Sequence, residues 1–255
     1  MSNEILLAVA AFFAGAINSV AGGGTFLTFP ALLSAGIPPV NANATSTFAV
    51  FPGSFSSAFA YRKDFKDSGG DIPIWALVIT SLVGGWIGAA ILLATPQQVF
   101  VVLIPWLLLS ATALFAFGKK LGNFVSKNIR LGVVPILMIL LVIGFYGGYF
   151  GAGMGIMTLA LLSLLGLTDL NKMNALKTLA TGLINVSAVI VFVSNGAIFW
   201  RPALIMAVCA IAGGYLGADL ARKVDQKYVR WLVLLIGVTL TAYFFCKQYG
   251  SILIS

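Results

Sequence analysis

Lys177 lies inside an otherwise apolar stretch, in Asn174-Ala175-Leu176-Lys177-Thr178. A charge at that depth in a membrane is costly, and such residues face a cavity or a partner. The alternative is a lysine whose stem crosses apolar surface while its head reaches the interface. A related polar set, Asn43, Thr45, Ser46 and Thr47, opens another apolar stretch, with Asn174, Lys177 and Thr178 as its second-half counterparts. An ammonium with amides and hydroxyls around it is chemistry for holding a small anion. Asn and Thr are also good helix N-caps, which accounts for one residue of the set rather than four. Two glycine runs accompany these side chains: Gly22-Gly23-Gly24 followed by Thr25, and Gly151, Gly153 and Gly155. They expose backbone N–H and C=O groups, tolerable at membrane depth only inside protein or beside a water-filled cavity. Helices starting after the breaks, near Thr25 and Ile156, would aim their positive ends there and favour an anion. The competing use of these glycines is close helix crossing. Asn18 and Asn185 can serve as interhelical hydrogen-bond partners.

Catalysis has little to stand on. The chain has no histidine, so neither a Ser-His pair nor a His-based zinc site can form. Of seven acidic residues, Asp64, Asp67, Asp71, Asp169 and Asp225 read as loop residues, Glu4 lies near the amino terminus, and Asp219 sits at a span end. The glycine pattern is neither a phosphate loop nor a dinucleotide fingerprint, since no strand precedes it. Cys209 and Cys246 fall in apolar spans at a spacing that fits no metal motif and read as free core residues. No cofactor is implied.

Sixty per cent of the 255 residues are hydrophobic and 9% are charged. A soluble protein of this size would need more charge to cover its surface, so the composition predicts an integral membrane protein. The start Met1-Ser2-Asn3-Glu4 lacks the basic segment of a cleaved signal peptide. The net charge of +8 sits between apolar spans, where it orients the chain and meets anionic lipid rather than nucleic acid. Apolar segments run over 5–21, 24–37, 44–60, 73–94 and 98–117, then over 131–149, 153–167, 174–194, 202–218 and 229–246. All are expected to be helices, because unpaired backbone is too costly in lipid.

The second five segments repeat the first. Gly84-Gly85-Trp86-Ile87-Gly88-Ala89 returns as Gly213-Gly214-Tyr215-Leu216-Gly217-Ala218, 213 − 84 = 129 residues on, and Gly22 and Gly24 meet Gly151 and Gly153 at the same offset. The division predicted is a first half over 1–117, a basic linker over 118–130 and a second half over 131–255. Charge sets their orientation. The loops at 38–43 and 95–97 are uncharged while 61–72 holds Arg62, Lys63 and Lys66. In the second half the pattern swaps: the basic loop is 219–230, with Arg222, Lys223, Lys227 and Arg230. If basic loops face the cytoplasm, equivalent loops lie on opposite sides, so the fold class is all-α and polytopic with inverted repeats. This closes if each glycine-broken pair is a hairpin returning to its starting face. Counting each pair as one long helix gives parallel repeats instead.

The order of these motifs, from Ala14-Gly15-Ala16-Ile17-Asn18 through Gly22-Gly23-Gly24-Thr25 and Pro30 to Asn41-Ala42-Asn43-Ala44-Thr45-Ser46-Thr47, then Pro52-Gly53-Ser54 and Tyr61-Arg62, resembles the sulfite exporter TauE/SafE family. The second half repeats the scheme at Gly151-Ala152-Gly153-Met154-Gly155 and Asn174 to Thr178. The resemblance implies a multi-pass permease of a bacterial-type inner membrane that moves sulfite, sulfonates or related small anions. Duplicated halves with a site between them fit alternating access. An anion channel and an intramembrane enzyme are the rival expectations. Direction of transport, coupling ion and oligomeric state stay open.

Overall fold

Each of the ten apolar segments forms a helix in the computed structural model, which describes residues 2–20, 22–60, 74–128, 133–165, 167, 169–220 and 226–253. The first five are α1 (Ser2–Val20), α2 (Thr25–Ser34), α3 (Pro39–Ala60), α4 (Ile74–Ala94) and α5 (Gln97–Asn128). Their counterparts are α6 (Val133–Tyr149), α7 (Met154–Leu164), α8 (Leu170–Ser194), α9 (Trp200–Leu220) and α10 (Gln226–Leu253). No strand occurs among the described residues. Among the described residues, five helices contain stretches long and apolar enough to cross a membrane: α4, α5, α8, α9 and α10. The chain is a polytopic membrane protein, in which only helices keep every backbone group paired within its own segment.

Several boundaries differ from the sequence reading, three of them with consequences for polar residues. First, α3 and α8 begin at Pro39 and Leu170, about a turn before the apolar pattern starts. Asn43 and Asn174 therefore lie inside helices and are not caps. The cap of α8 is Asp169, whose carboxylate accepts from Asn171 N at 2.8 Å and Lys172 N at 3.3 Å. Second, Lys172, which precedes the apolar segment 174–194, belongs to the first turn of α8. Third, most of the basic stretch 118–130 continues α5 to Asn128, since lysine is a good helix former. The charged positions Arg62, Lys63, Asp64, Lys66, Asp67, Asp71, Arg130, Arg222, Lys223 and Asp225 lie outside the described residues.

Helices pack crosswise between the two sets. α1 lies on α9, and α6, the counterpart of α1, lies on α4, the counterpart of α9. α3 likewise meets α9 while α8 meets α4, and α3 and α8 also touch each other, as do α5 and α10. Thr112 Oγ1 and Thr241 Oγ1, equivalent residues at 241 − 112 = 129, are 3.4 Å apart. Glycine makes these crossings close. A Cβ on Gly84 would come within 2.8 Å of Gly144 Cα, and one on Gly214 within 2.6 Å of Gly53 O. Small residues that let backbones approach are how helices associate where lipid removes the hydrophobic drive.

One core gathers Phe29, Phe100 and Phe150, with Phe29 edge-on to Phe150 at 5.6 Å between centroids. Another joins Leu77, Ile136, Leu140, Ile143 and Ile184 of α4, α6 and α8. The outward faces are apolar too, including Trp75, Val134, Ile190, Val208 and Leu235. In water such a surface would be a liability; against acyl chains it is the matching solvent. Cys209 and Cys246 are free thiols.

Candidate functional site

The two glycine breaks begin alike, and their N-cap glycines then differ, Gly24 at φ −57° and Gly153 at φ +79°. At the end of α1, Gly22 N donates to Ile17 O at 3.1 Å, with Gly22 at φ +73°. At the end of α6, Gly151 N donates to Tyr146 O at 3.2 Å, with Gly151 at φ +80°. Each is a helix ending in a left-handed glycine, which bears no Cβ penalty. In the first break the amide of Asn18 does further work, its Oδ1 accepting from Gly23 N at 3.0 Å and Gly24 N at 2.7 Å. The chain then folds back, since a Cβ on Gly24 would lie 2.5 Å from Ala14 O.

The breaks meet. A Cβ on Gly22 would lie 2.7 Å from Gly155 Cα, and one on Gly151 would lie 3.8 Å from Thr25 Oγ1. The starts of α2 and α7, whose N-cap residues Gly24 and Gly153 have no side chain of their own to cap the helix, thus converge on one interior place. Each brings the partial positive charge of a helix amino end.

Lys177 stands beside them. Its Cδ would be 3.5 Å from a Cβ on Gly155, and the residue is 1% exposed. The ammonium donates to Asn18 O at 3.0 Å, Ser19 O at 2.9 Å and Asn174 Oδ1 at 3.1 Å. An ammonium has three protons, so all three have acceptors in the protein. The side chain turns inward and does not snorkel. Its charge sits on the carbonyl end of α1, where a cation is favoured.

The other expected residues divide into two groups. Gly22, Gly23, Gly24, Thr25, Gly151, Gly153, Gly155, Asn174 and Lys177 gather at the paired breaks, and Asn43 reaches the second break by donating Nδ2 to Tyr149 O at 3.0 Å. Ser46 Oγ pairs with Thr28 Oγ1 at 2.6 Å, tying α3 to α2. Thr47 Oγ1 and Thr178 Oγ1 donate back to the carbonyls of Asn43 and Asn174 in their own helices. Thr45 is turned elsewhere: its Oγ1 accepts from Phe199 N at 3.1 Å, ahead of α9. Sequence reading gave no signal for Ser19, which contributes a main-chain oxygen available to any residue type. It also left Asn18 as a generic interhelical partner, whereas the side chain organises its own break. Asn185 Nδ2, Ser81 Oγ and Asn43 Oδ1 are buried without a hydrogen-bond partner among the described residues. No cluster of three His, Cys, Asp or Glu side chains able to hold a metal occurs among those residues.

Known proteins resemble this chain along nearly its whole length. A probable membrane transporter protein, ORF9, of Sinorhizobium sp is 31% identical over 236 residues, covering 92% of this chain and 89% of the relative. The probable membrane transporter protein YfcA of Escherichia coli is 29% identical over 256 residues, covering 98% and 94%. A probable membrane transporter protein of Haemophilus influenzae is 29% identical over 231 residues, covering 91% and 90%. These relatives are bacterial, which is consistent with an inner-membrane location. No solved structure matches. The sequence pattern described as sulfite exporter TauE/SafE matches residues 7–244, and the chain, with its multi-pass helices and glycine-broken core, belongs to that family of membrane transporters.

Proposed function

We propose that the protein is a permease for a small anion, such as sulfite, an organosulfonate or a related sulfur oxyanion, and that it works by alternating access. The observation that carries this reading is the convergence of two helix starts with glycine at the N-cap, α2 and α7, beside the buried ammonium of Lys177. Three sources of positive potential share a low-dielectric interior, where charge interactions are weakly screened. Because the protons of Lys177 are engaged by Asn18 O, Ser19 O and Asn174 Oδ1, its part is to supply field. Gly22, Gly23 and Gly24 already donate to Ile17 O and Asn18 Oδ1, so direct hydrogen bonds to the anion come from Thr25 and from backbone N–H groups at the second break. In the transport cycle, the units 1–117 and 131–255 rock against each other about this place, the arrangement that duplicated halves allow.

Uptake of labelled sulfite, organosulfonates and thiosulfate into proteoliposomes tests the reading. Flux of a sulfur oxyanion should saturate with concentration, as a carrier requires. Lys177→Gln keeps length and hydrogen bonding without the charge, and should weaken apparent affinity by about tenfold, equivalent to ~1.4 kcal/mol. Unsaturable flux would make the protein a channel. Parental affinity in the Lys177→Gln variant would remove the ammonium from the mechanism.

A further inference from the structure

The two breaks are built alike but finished differently. At the end of α1, Gly22 N reaches back to Ile17 O, so Asn18 O loses the N–H it would have held in a continuous helix. Gly23 N is taken by Asn18 Oδ1, so Ser19 O loses its regular partner as well. Both carbonyls are satisfied by one cation, the Lys177 ammonium, with Asn174 Oδ1 as the third oxygen around it. Three neutral oxygens about a single positive charge make a site for a monovalent cation, here filled by a tethered one.

At the end of α6 the diversion repeats: Gly151 N reaches Tyr146 O, and Gly147 O, counterpart of Asn18 O at 147 − 18 = 129, loses its helical partner. The carbonyl of Gly148 corresponds to that of Ser19 and lies in the last turn, whose carbonyls have no intrahelical donor. The third oxygen is present too. Asn43 is the counterpart of Asn174, 174 − 43 = 131 residues earlier, an offset that also relates Thr47 to Thr178 and their matching bonds to Asn43 O and Asn174 O. Its Nδ2 is held by Tyr149 O at 3.0 Å, which orients the amide. Its Oδ1 is fully buried and has no hydrogen-bond partner among the described residues. The position matching Lys177 is Ser46, at 177 − 131 = 46, which has no charge and a far shorter side chain. Thus the carbonyl end of α6 has counterparts of all three oxygens found around the ammonium at α1, and no ammonium.

We infer that a monovalent cation of sodium size binds at the carbonyl end of α6, held by Asn43 Oδ1 and the main-chain oxygens of Gly147 and Gly148. The charge of the ligands decides the class. All are neutral, whereas sites for calcium and magnesium rely on carboxylates. Carbonyls unwound at the end of a broken helix are established ligands for coupling sodium in carriers of duplicated design. The inference rests on the carrier reading above, in which such an ion offsets the charge of the anion taken up at the neighbouring starts of α2 and α7.

Binding of radiolabelled sodium to the purified full-length protein, in choline buffer without any anion substrate, tests the site. Saturable binding, stoichiometric with the chain and resistant to choline, is expected. Asn43→Leu should abolish it, and Asn43→Asp should tighten it by about tenfold, because affinity follows ligand charge. Absence of saturable binding to the parent overturns the site, as does binding that Asn43→Leu leaves unchanged. Where Asn43→Leu does not accumulate, the isosteric Asn43→Asp decides, and unchanged affinity there counts against the site. Sodium binding alongside failed uptake of every sulfur oxyanion would sink the carrier reading alone. Saturable anion uptake without sodium binding would sink the ion site alone.

Discussion

Asn18 shows how much a single side chain can do at a helix break. Its Oδ1 accepts from Gly23 N and Gly24 N while its own main-chain oxygen holds Lys177. Removing the amide leaves two buried donors unpaired, each costing ~1–3 kcal/mol. Asn18→Ala should therefore lower stability by about 2 kcal/mol or more, read as a fall in the thermal transition of the detergent-solubilised protein. Asn195, whose amide donates to Val191 O at the exposed end of α8, is the comparison. Asn195→Ala should stay within about 0.5 kcal/mol of the parent, as surface changes do. Equal melting of both variants would show that the first break holds its shape without the amide. Lys177 carries the same lesson in charge, since its value lies in where three carbonyl and amide oxygens hold it.

At the scale of elements, the close approach of the two breaks can be separated from the backbone strain of left-handed glycine. Gly22 and Gly36 both have positive φ, +73° and +84°. A Cβ on Gly36 would meet nothing within 4 Å, whereas one on Gly22 would meet Gly155 Cα at 2.7 Å. Gly36→Ala should cost only the strain of an alanine in that conformation, ~1–2 kcal/mol. Gly22→Ala adds the overpacking of two backbones, about 1–3 kcal/mol more, and should impair transport as well. If the two variants melt together and transport alike, α1 and α7 have room to separate and the breaks are not held in contact. The same logic explains Gly84-x-x-x-Gly88 and Gly213-x-x-x-Gly217, whose spacing reads as packing and whose Cβ positions are occupied by backbone of α6 and α1.

For the whole molecule, the crosswise contacts of α1 with α9 and of α6 with α4 relate the two sets of five helices to each other. We propose that the sets are inverted across the membrane. Gly24 lying against Ala14 supports this, because a pair α1–α2 that folds back leaves three further crossings per half, an odd number. Basic loops then face the cytoplasm in both halves. Single cysteines at Asn123 and Gln226, in a variant lacking Cys209 and Cys246, should both resist a membrane-impermeant thiol reagent in whole cells. Labelling at Gln226 alone would establish the parallel arrangement.

Ten helices, their approximate ends and the glycine breaks were legible in the sequence because lipid leaves so few ways to pair a backbone. An apolar run of this length has to be a helix, and a cluster of glycines within it has to interrupt one. The 129-residue repeat was equally plain, since it needs only comparison of the chain with itself. What side chains do at the breaks was not legible. Thr45 and Ser46 are neighbours in sequence, yet one binds Phe199 N and the other pairs with Thr28. Lys177 was marked as a buried charge by its apolar surroundings, but its partners are carbonyls 159 and 158 residues away. Main-chain oxygens leave no trace in composition or spacing. Which of them become ligands is settled only when α8 is packed against the end of α1, because that packing brings distant backbone within reach of one ammonium.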